Sequence, residues 1–339
     1  MKRFCFSIIL SALVFLINPY ASAQEVIKWK AQAHVGIGLI EYQVFENFCK
    51  KVKVMTNGRL EITPYPAEAI TPTFEVLNAV KNNVLQAAMS ASVYWSGKDP
   101  AFAALGDLTA AWTHPMEATT FFNHLGGLEM LREVYKPFNV YCVGTLFYGV
   151  ESMPSKKPLR RVEDLKGQRW RCTQGMAAEW LKRCGASVVI IPGSEIYSAL
   201  EKGVVDGADW GLPNTNYRTN LHQVAKYFNY PGFHSMPTLD ITVNQAQWNK
   251  LPEDIKQILT TAVRELSWDM AEKESIEDVK AVKAMKDSGC TAIAWSDEDI
   301  AKARKIAMEV WDDWAQKSPM TKKVVEKNKE WLRQLGKIQ

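Results

Sequence analysis

The run VEDLKGQRWRCTQGMAAEWLKRCGASVVIIPGSEIYSALEKGVVDGADW, residues 162–210, decides the fold. VEDLKG reads as a short helix, with Gly167 in the position just past a helix end. QRWRC is a short strand. From Gly175 to Gly185, Ala177, Trp180, Leu181 and Cys184 recur at helical spacing and mark one apolar face. ASVVIIP is an unbroken apolar run between turn residues, which reads as a buried strand. SEIYSALEKG is a second helix with Ser194 as its N-cap, and VVDGADW is a strand that runs into a loop. Strand, helix, strand, helix, strand in this order is an α/β unit built on parallel strands.

The same rhythm appears upstream. Residues 26–34, VIKWKAQAH, alternate as a half-buried strand does, and a helix follows from about Glu41 to Val54. RLEITPYP is a second strand, and TFEVLNAVKNNVLQAAMS reads as helix, turn and strand. Residues 90–104, crowded with aromatic and small side chains, read as a loop over a ligand. Downstream, residues 240–244 form another strand. No Gly or Pro then interrupts the chain between Pro252 and Ser288. A helix of that span is about 55 Å long and exceeds one small domain, so it runs along two lobes unless it breaks near Glu272–Glu277. Amphipathic helices near Asp297–Ala315 and Thr321–Leu335 close the chain.

The first 23 residues stand apart. Lys2 and Arg3 precede an apolar run from Phe4 to Ile17, which ends in Ala21-Ser22-Ala23. That is the pattern of a secretory signal peptide cleaved after Ala23; the apolar run is shorter than the roughly 20 residues of a membrane span. Without Lys2 and Arg3, the basic count of 41 becomes 39 against 37 acidic residues. A nearly neutral chain without dense basic runs excludes nucleic acid as the expected partner. Five of the six cysteines follow the signal, and none has CxxC or zinc-site spacing. Buried free thiols are the reading, with a Cys172–Cys184 disulfide as the alternative that spacing alone leaves open.

Catalytic signatures are missing. There is no G-x-S-x-G, H-E-x-x-H or G-x-G-x-x-G, and the five histidines are scattered. A secreted hydrolase or lyase remains only as a site assembled in space. Arg171 carries more. It ends a strand just before a helix start at Gln174-Gly175, and the neighbouring strands end at Pro192 and at Asp209-Trp210. Ligands of open α/β sheets lie beyond such strand ends. A guanidinium fork holds a carboxylate by two charge-assisted bonds, and a helix start favours the same anion. The alternative is a surface ion pair with an acidic neighbour.

The 162–210 block, the YPGFH that follows at 230–234 and the LPED opening of the long helix resemble the solute-binding proteins of TRAP transporters, the DctP family. The likeness covers nearly the whole chain after the signal. It implies a two-lobed, periplasmic-binding-protein-like α/β fold with a hinge and a long helix spanning both lobes. Residues 24–148 with about 237–270 form the first lobe, and 149–236 with about 271–339 the second. It also implies a periplasmic receptor and no enzyme: a small organic acid is held between the lobes and passed to membrane permease subunits. The family's carboxylate-binding arginine falls on Arg171.

DGADWGLPN, YWSGKDPAF and YFNYPGFH look most like the branch that binds 2-oxo acids and related monocarboxylates. Aromatic acids, sulfonates, polyols and a sensor role are the alternatives. Parts of that branch bridge protein and ligand with calcium or sodium. The resemblance places that cation on Asp209 and the Trp210 backbone, although Ser235 stands where a glutamate is often found. No cofactor is otherwise required. Trp210, Tyr94, Trp95, Phe147, Tyr148 and Phe233 are the candidate aromatic walls, and His234 a candidate donor to the ligand. The C-terminal helices, with Trp311, Trp314 and Trp331, either exchange to form a homodimer or cap their own lobe.

Overall fold

The computed structural model describes residues 25–339, so the signal peptide and its cleavage site lie outside the described residues. The first layer comprises β1 (Ile27–Ala33), α1 (Ile40–Met55), β2 (Leu60–Tyr65), α2 (Val76–Lys81), β3 (Ala87–Ala91), α3 (Ala101–Gly106), α4 (Pro115–His124), α5 (Gly127–Tyr135) and β4 (Val140–Leu146). The chain then crosses to β5 (Arg169–Cys172), α6 (Met176–Arg183), β6 (Ser187–Ile190), α7 (Ile196–Glu201), β7 (Gly207–Ala208), α8 (Pro213–Arg218), α9 (Leu221–Val224) and β8 (Tyr227–Asn229). It returns through β9 (Leu239–Asn244), α10 (Gln245–Lys250) and α11 (Glu253–Asp287), and ends with β10 (Thr291–Ile293), α12 (Asp297–Ala315) and α13 (Pro319–Gln334).

Two lobes follow from the sheets. The first sheet has the order β2-β1-β3-β9-β4, with β1 parallel to β2 and β3 and the returning β9 antiparallel to both neighbours. Its central strands β3 and β9 are buried along their whole length, as strands covered on both faces are. The second sheet is parallel, in the order β6-β5-β7, and Ser155 bridges it to the β8–β10 pair.

Helix α11 runs unbroken for 35 residues, about 52 Å at 1.5 Å per residue. It packs on α1 and β4 at one end and on α8 and β10 at the other. Ile255, Leu259, Val263 and Leu266 are buried at its first end, each contributing about 1.5–3 kcal/mol by leaving water. The close approach to β4 needs Gly144, where a Cβ would stand 2.8 Å from Val263 Cγ1. At the far end Val282 and Met285 share a small core with Phe228 and Cys290. No helix of the described residues is long and apolar enough to cross a membrane.

Several local expectations change. Residues 90–104 are not a loop: the end of β3, a single turn at Ser92–Trp95 and α3 occupy them, because the apolar side chains there have a core to pack into. Strand β6 is an edge strand rather than a buried one, with Ile190 exposed, since an apolar run does not reveal its place in the sheet. Ser194 lies inside a tight turn at Gly193–Glu195 and caps nothing; α7 starts one residue beyond that turn. VEDLKG is a short helix as expected, of the tighter 3-10 kind at Val162–Leu165, with Gly167 beyond its end at positive φ. All five described cysteines are free and buried, Cys172 and Cys184 included.

The C-terminal helices pack on their own chain: α12 on α6, and α13 on α3 and α5. Trp311 Nε1 donates to the Thr109 carbonyl and Trp331 Nε1 to that of Glu117, while Lys317 sits over the Trp314 ring.

Candidate ligand-binding cleft

A cavity with about 480 Å3 of atom-free space, counting its mouth, lies between the two lobes. The first lobe lines it from the ends of β1 and β3 with His34 and Tyr94, and the second from the ends of β5 and β7 with Arg171 and Trp210. The strand ends converge there, as the sequence pattern requires.

Arg171 is 1% exposed and tightly held. Its Nε donates to the Ile191 carbonyl at 3.0 Å and its Nη1 to the Asp209 carbonyl, so the ends of both neighbouring strands fix the guanidinium. Its Nη2 is buried with no partner among the described residues. The guanidinium carbon lies 5.1 Å from the centre of the Trp210 ring, within cation–π range. Trp210 also leaves its buried Nε1 without an acceptor. Its ring rests on Gly193, where a Cβ would stand 2.0 Å from the ring edge. Arg171 and Trp210 both line the chamber, and each keeps one buried donor without a partner among the described residues, a cost that a bound acceptor would remove.

Asp209 has one protein partner for each carboxylate oxygen. Its Oδ1 lies 2.7 Å from His234 Nε2, and its Oδ2 accepts from Cys172 Sγ at 3.0 Å. Burial alone would raise its pKa, but the bonds from His234 and Cys172 and the Arg171 charge hold it below the usual range. Glu151, which accepts from Tyr148 Oη at 2.8 Å, is pushed well up by burial and then by the charges of Asp209 and Asp107. Asp107 accepts from Ser235 Oγ at 2.9 Å, and burial with the Asp209 charge lifts it to about 8. Burial lowers His34 to about 4, so it is neutral at pH 7.

The structure brings Arg171, Asp209, Trp210, Tyr94 and Tyr148 to the cavity wall. His234 stands behind Asp209 and is fully buried. Trp95, Phe147 and Phe233 are not in the wall. Trp95 donates to Tyr135 Oη at 3.0 Å in the core, Phe147 packs 5.3 Å from Phe122, and Phe233 packs 4.2 Å from Trp295. Helix α6 does not present its start to the cavity either: Gln174 Nε2 donates to the Tyr94 carbonyl, and Gly175 packs on Val93.

Sequence reasoning missed the acids Glu41, Asp107 and Glu151, and also His34 and Thr215. Glu41 looks like an ordinary first-turn acid of α1. Asp107 and Glu151 lie in irregular segments where no periodicity marks an inward side chain. For Glu151 a faint signal existed, a lone acid in the GVESMP crossing segment.

Donor atoms of Glu151, Asp209 and His234 lie within 4.8 Å of one another. Two carboxylates suit a hard cation. Ser235 is occupied with Asp107, and Glu151, from another segment, is the second carboxylate of this cluster.

The model for bacterial extracellular solute-binding protein family 7, DctP, matches residues 35–318. The chain belongs to this family. Family 7 members are solute-binding receptors rather than enzymes, and the arrangement of the cleft agrees with a receptor. A monocarboxylate 2-oxoacid-binding periplasmic protein of Nostoc is 31% identical over 86% of this chain and 80% of its own. The apo, open structure of a TRAP periplasmic solute-binding protein from Rhodobacter sphaeroides is 32% identical, with 91% and 98% of the two chains covered and a TM-score of 0.74. A TRAP periplasmic solute-binding protein from Pseudoalteromonas atlantica with bound sodium and pyruvate is 28% identical, covers 92% and 95%, and has a TM-score of 0.83. This family 7 receptor thus overlays better on a ligand-bound relative than on an open one of higher identity.

Proposed function

We propose that this receptor captures a small 2-oxo or 2-hydroxy monocarboxylate, closes its lobes around it and presents the closed form to membrane TRAP permease subunits. The carrying observation is the buried, unpaired Nη2 of Arg171 in a chamber lined by both lobes. The ligand carboxylate would bond there and to Trp210 Nε1. Among the described residues Arg171 is the one basic side chain fixed in the chamber wall, so a second carboxylate would meet no second positive charge. His34 is neutral, and Glu41, Asp107 and Glu151 bring acidic groups rather than positive charge. This favours mono- over dicarboxylates, in keeping with the name of the Nostoc relative. The lobes would divide at 24–148 with about 237–270, and 149–236 with about 271–339, the last helix α13 reaching back onto α3 and α5 of the first lobe. The ligand stabilises the closed form because only there do both lobes touch it.

A hard cation, sodium or calcium, would be held by the Glu151 and Asp209 carboxylates and the Trp210 main-chain carbonyl. It would neutralise the acid cluster and offer a positive site to the ligand's 2-oxo or 2-hydroxy oxygen. Tyr148 orients the Glu151 carboxyl, and His234 and Cys172 orient that of Asp209.

Thermal unfolding of the refolded, ligand-free protein tests this reading. Pyruvate, lactate, aromatic acids, malonate, sulfonates and polyols are each added with and without calcium or sodium. At about 100 times its Kd a ligand adds about 2.7 kcal/mol. The expected result is a raised Tm with 2-oxo or 2-hydroxy monocarboxylates that is lost in Arg171→Ala. A shift with a polyol alone, retained in that variant, would overturn it.

A further inference from the structure

Glu41, in the first turn of α1, and Glu274, past the middle of α11, meet as two buried carboxyls within hydrogen-bonding contact. Glu41 Oε1 accepts from Thr215 Oγ1 at 3.3 Å, and Glu274 Oε2 accepts from Asn214 Nδ2 at 2.5 Å. Each carboxyl then has one buried oxygen, Glu41 Oε2 and Glu274 Oε1, that no protein donor reaches. Two ionised carboxyls so placed repel each other, whereas one proton between them makes a hydrogen bond.

Among the described residues no basic side chain relieves the pair. Arg218, on α8, bonds Glu277 at 2.8 Å and the Gly38 carbonyl, and Lys280 pairs with the same Glu277. Asp278, one turn along α11, adds a further acid and is held by the backbone and side chain of Asn214. From the chamber side His34 is neutral, and burial keeps the Tyr94 and Tyr148 phenols protonated. Burial raises Glu41 and Glu274 as well, in keeping with this arrangement.

The place of the pair gives it a function. Helix α1 belongs to the first lobe and α8 to the second, and Glu41 and Thr215 both line the ligand chamber. We propose that Glu41 and Glu274 form a proton-binding site whose single proton is taken up as the ligand draws the two lobes together. The proposal rests on the ligand-closure reading above. Opening separates α8 from α1 and admits water to Glu41, which favours the ionised form. A closed form that binds one more proton than the open form makes ligand affinity fall as pH rises, by at most about tenfold per pH unit.

The test is calorimetry of pyruvate binding near pH 7 in two buffers of different ionisation enthalpy, which counts protons taken up. Acids at the ligand site contribute their own exchange, so the readout is the difference between wild type and E274Q, whose amide supplies a donor permanently. The expected result is pyruvate binding in both, with proton uptake lowered in E274Q by up to one. An equal count in the two proteins overturns the proposal. So does a wild type with no ligand-linked uptake, a result that stands even if E274Q fails to fold. A changed sodium dependence with an unchanged proton count assigns the pair to a cation instead and likewise overturns it. A wild type that binds no acid at all sinks this proposal and the proposed function together.

Discussion

His234 Nε2 lies 2.7 Å from Asp209 Oδ1, and both side chains are buried. The contact fixes Asp209 directly behind Arg171, the proposed ligand anchor, because the Asp209 carbonyl accepts from Arg171 Nη1. A bond of this kind to a charged group contributes about 1.5–3 kcal/mol. Replacing His234 with Ala should lower unfolding free energy by about 2 kcal/mol or more in denaturant titrations at pH 7. It should also weaken ligand binding, since the Asp209 carbonyl loses its fixed place. Unchanged stability would mean that the pair contributes nothing.

Gly193 is the second control on the anchor. A Cβ there would collide with the Trp210 ring, which is pressed between that glycine and the Arg171 guanidinium. Overpacking of this kind costs about 1–3 kcal/mol. G193A should therefore lose roughly ten- to a hundredfold in ligand affinity, with a far-ultraviolet spectrum like that of wild type. Wild-type affinity by calorimetry would show that the Trp210 position is not needed.

Glu151 separates the cation reading from simple hydrogen bonding. Its carboxyl is one of two that would hold the ion, and Tyr148 already satisfies one of its oxygens. E151Q keeps the shape and the bond from Tyr148 but removes the charge. Ligand affinity measured with and without sodium or calcium should differ in wild type and be alike in E151Q. Cation dependence that survives in E151Q would place the ion elsewhere.

The fold was legible because its signals are local. Apolar runs, helix periodicity and the absence of Gly and Pro from Pro252 to Ser288 yield the strands, the α/β order and the long helix. The place of Arg171 in the cleft wall was legible too, since a strand end before a helix start is a local feature. The acids around it were not. Glu41, Asp107 and Glu151 become site residues only when α1, the segment after α3 and the crossing after β4 are brought together, a long-range event without periodicity. The opposite error, Trp95 and Phe147 as walls, has the same origin. Aromatic side chains near a cleft and aromatic side chains in the core beneath it look alike in sequence.

Asp240 sits in central strand β9, fully buried, and one of its oxygens accepts from Tyr135 Oη at 2.7 Å while the other has no partner. Burial lifts its pKa from the ordinary value of 3.8 to about 8, against the pull of the tyrosine bond. The folded state thus holds a proton that the unfolded chain loses above about pH 4. Stability from this group is complete below the unfolded pKa and declines as pH rises toward 8, where the native carboxyl itself ionises. D240N removes the ionisation and keeps an acceptor for Tyr135. Its unfolding free energy should match or fall below that of wild type near pH 5 and exceed it near pH 8. Denaturant titrations across that range check the sign, and a constant difference between the two proteins would show that Asp240 does not titrate with folding.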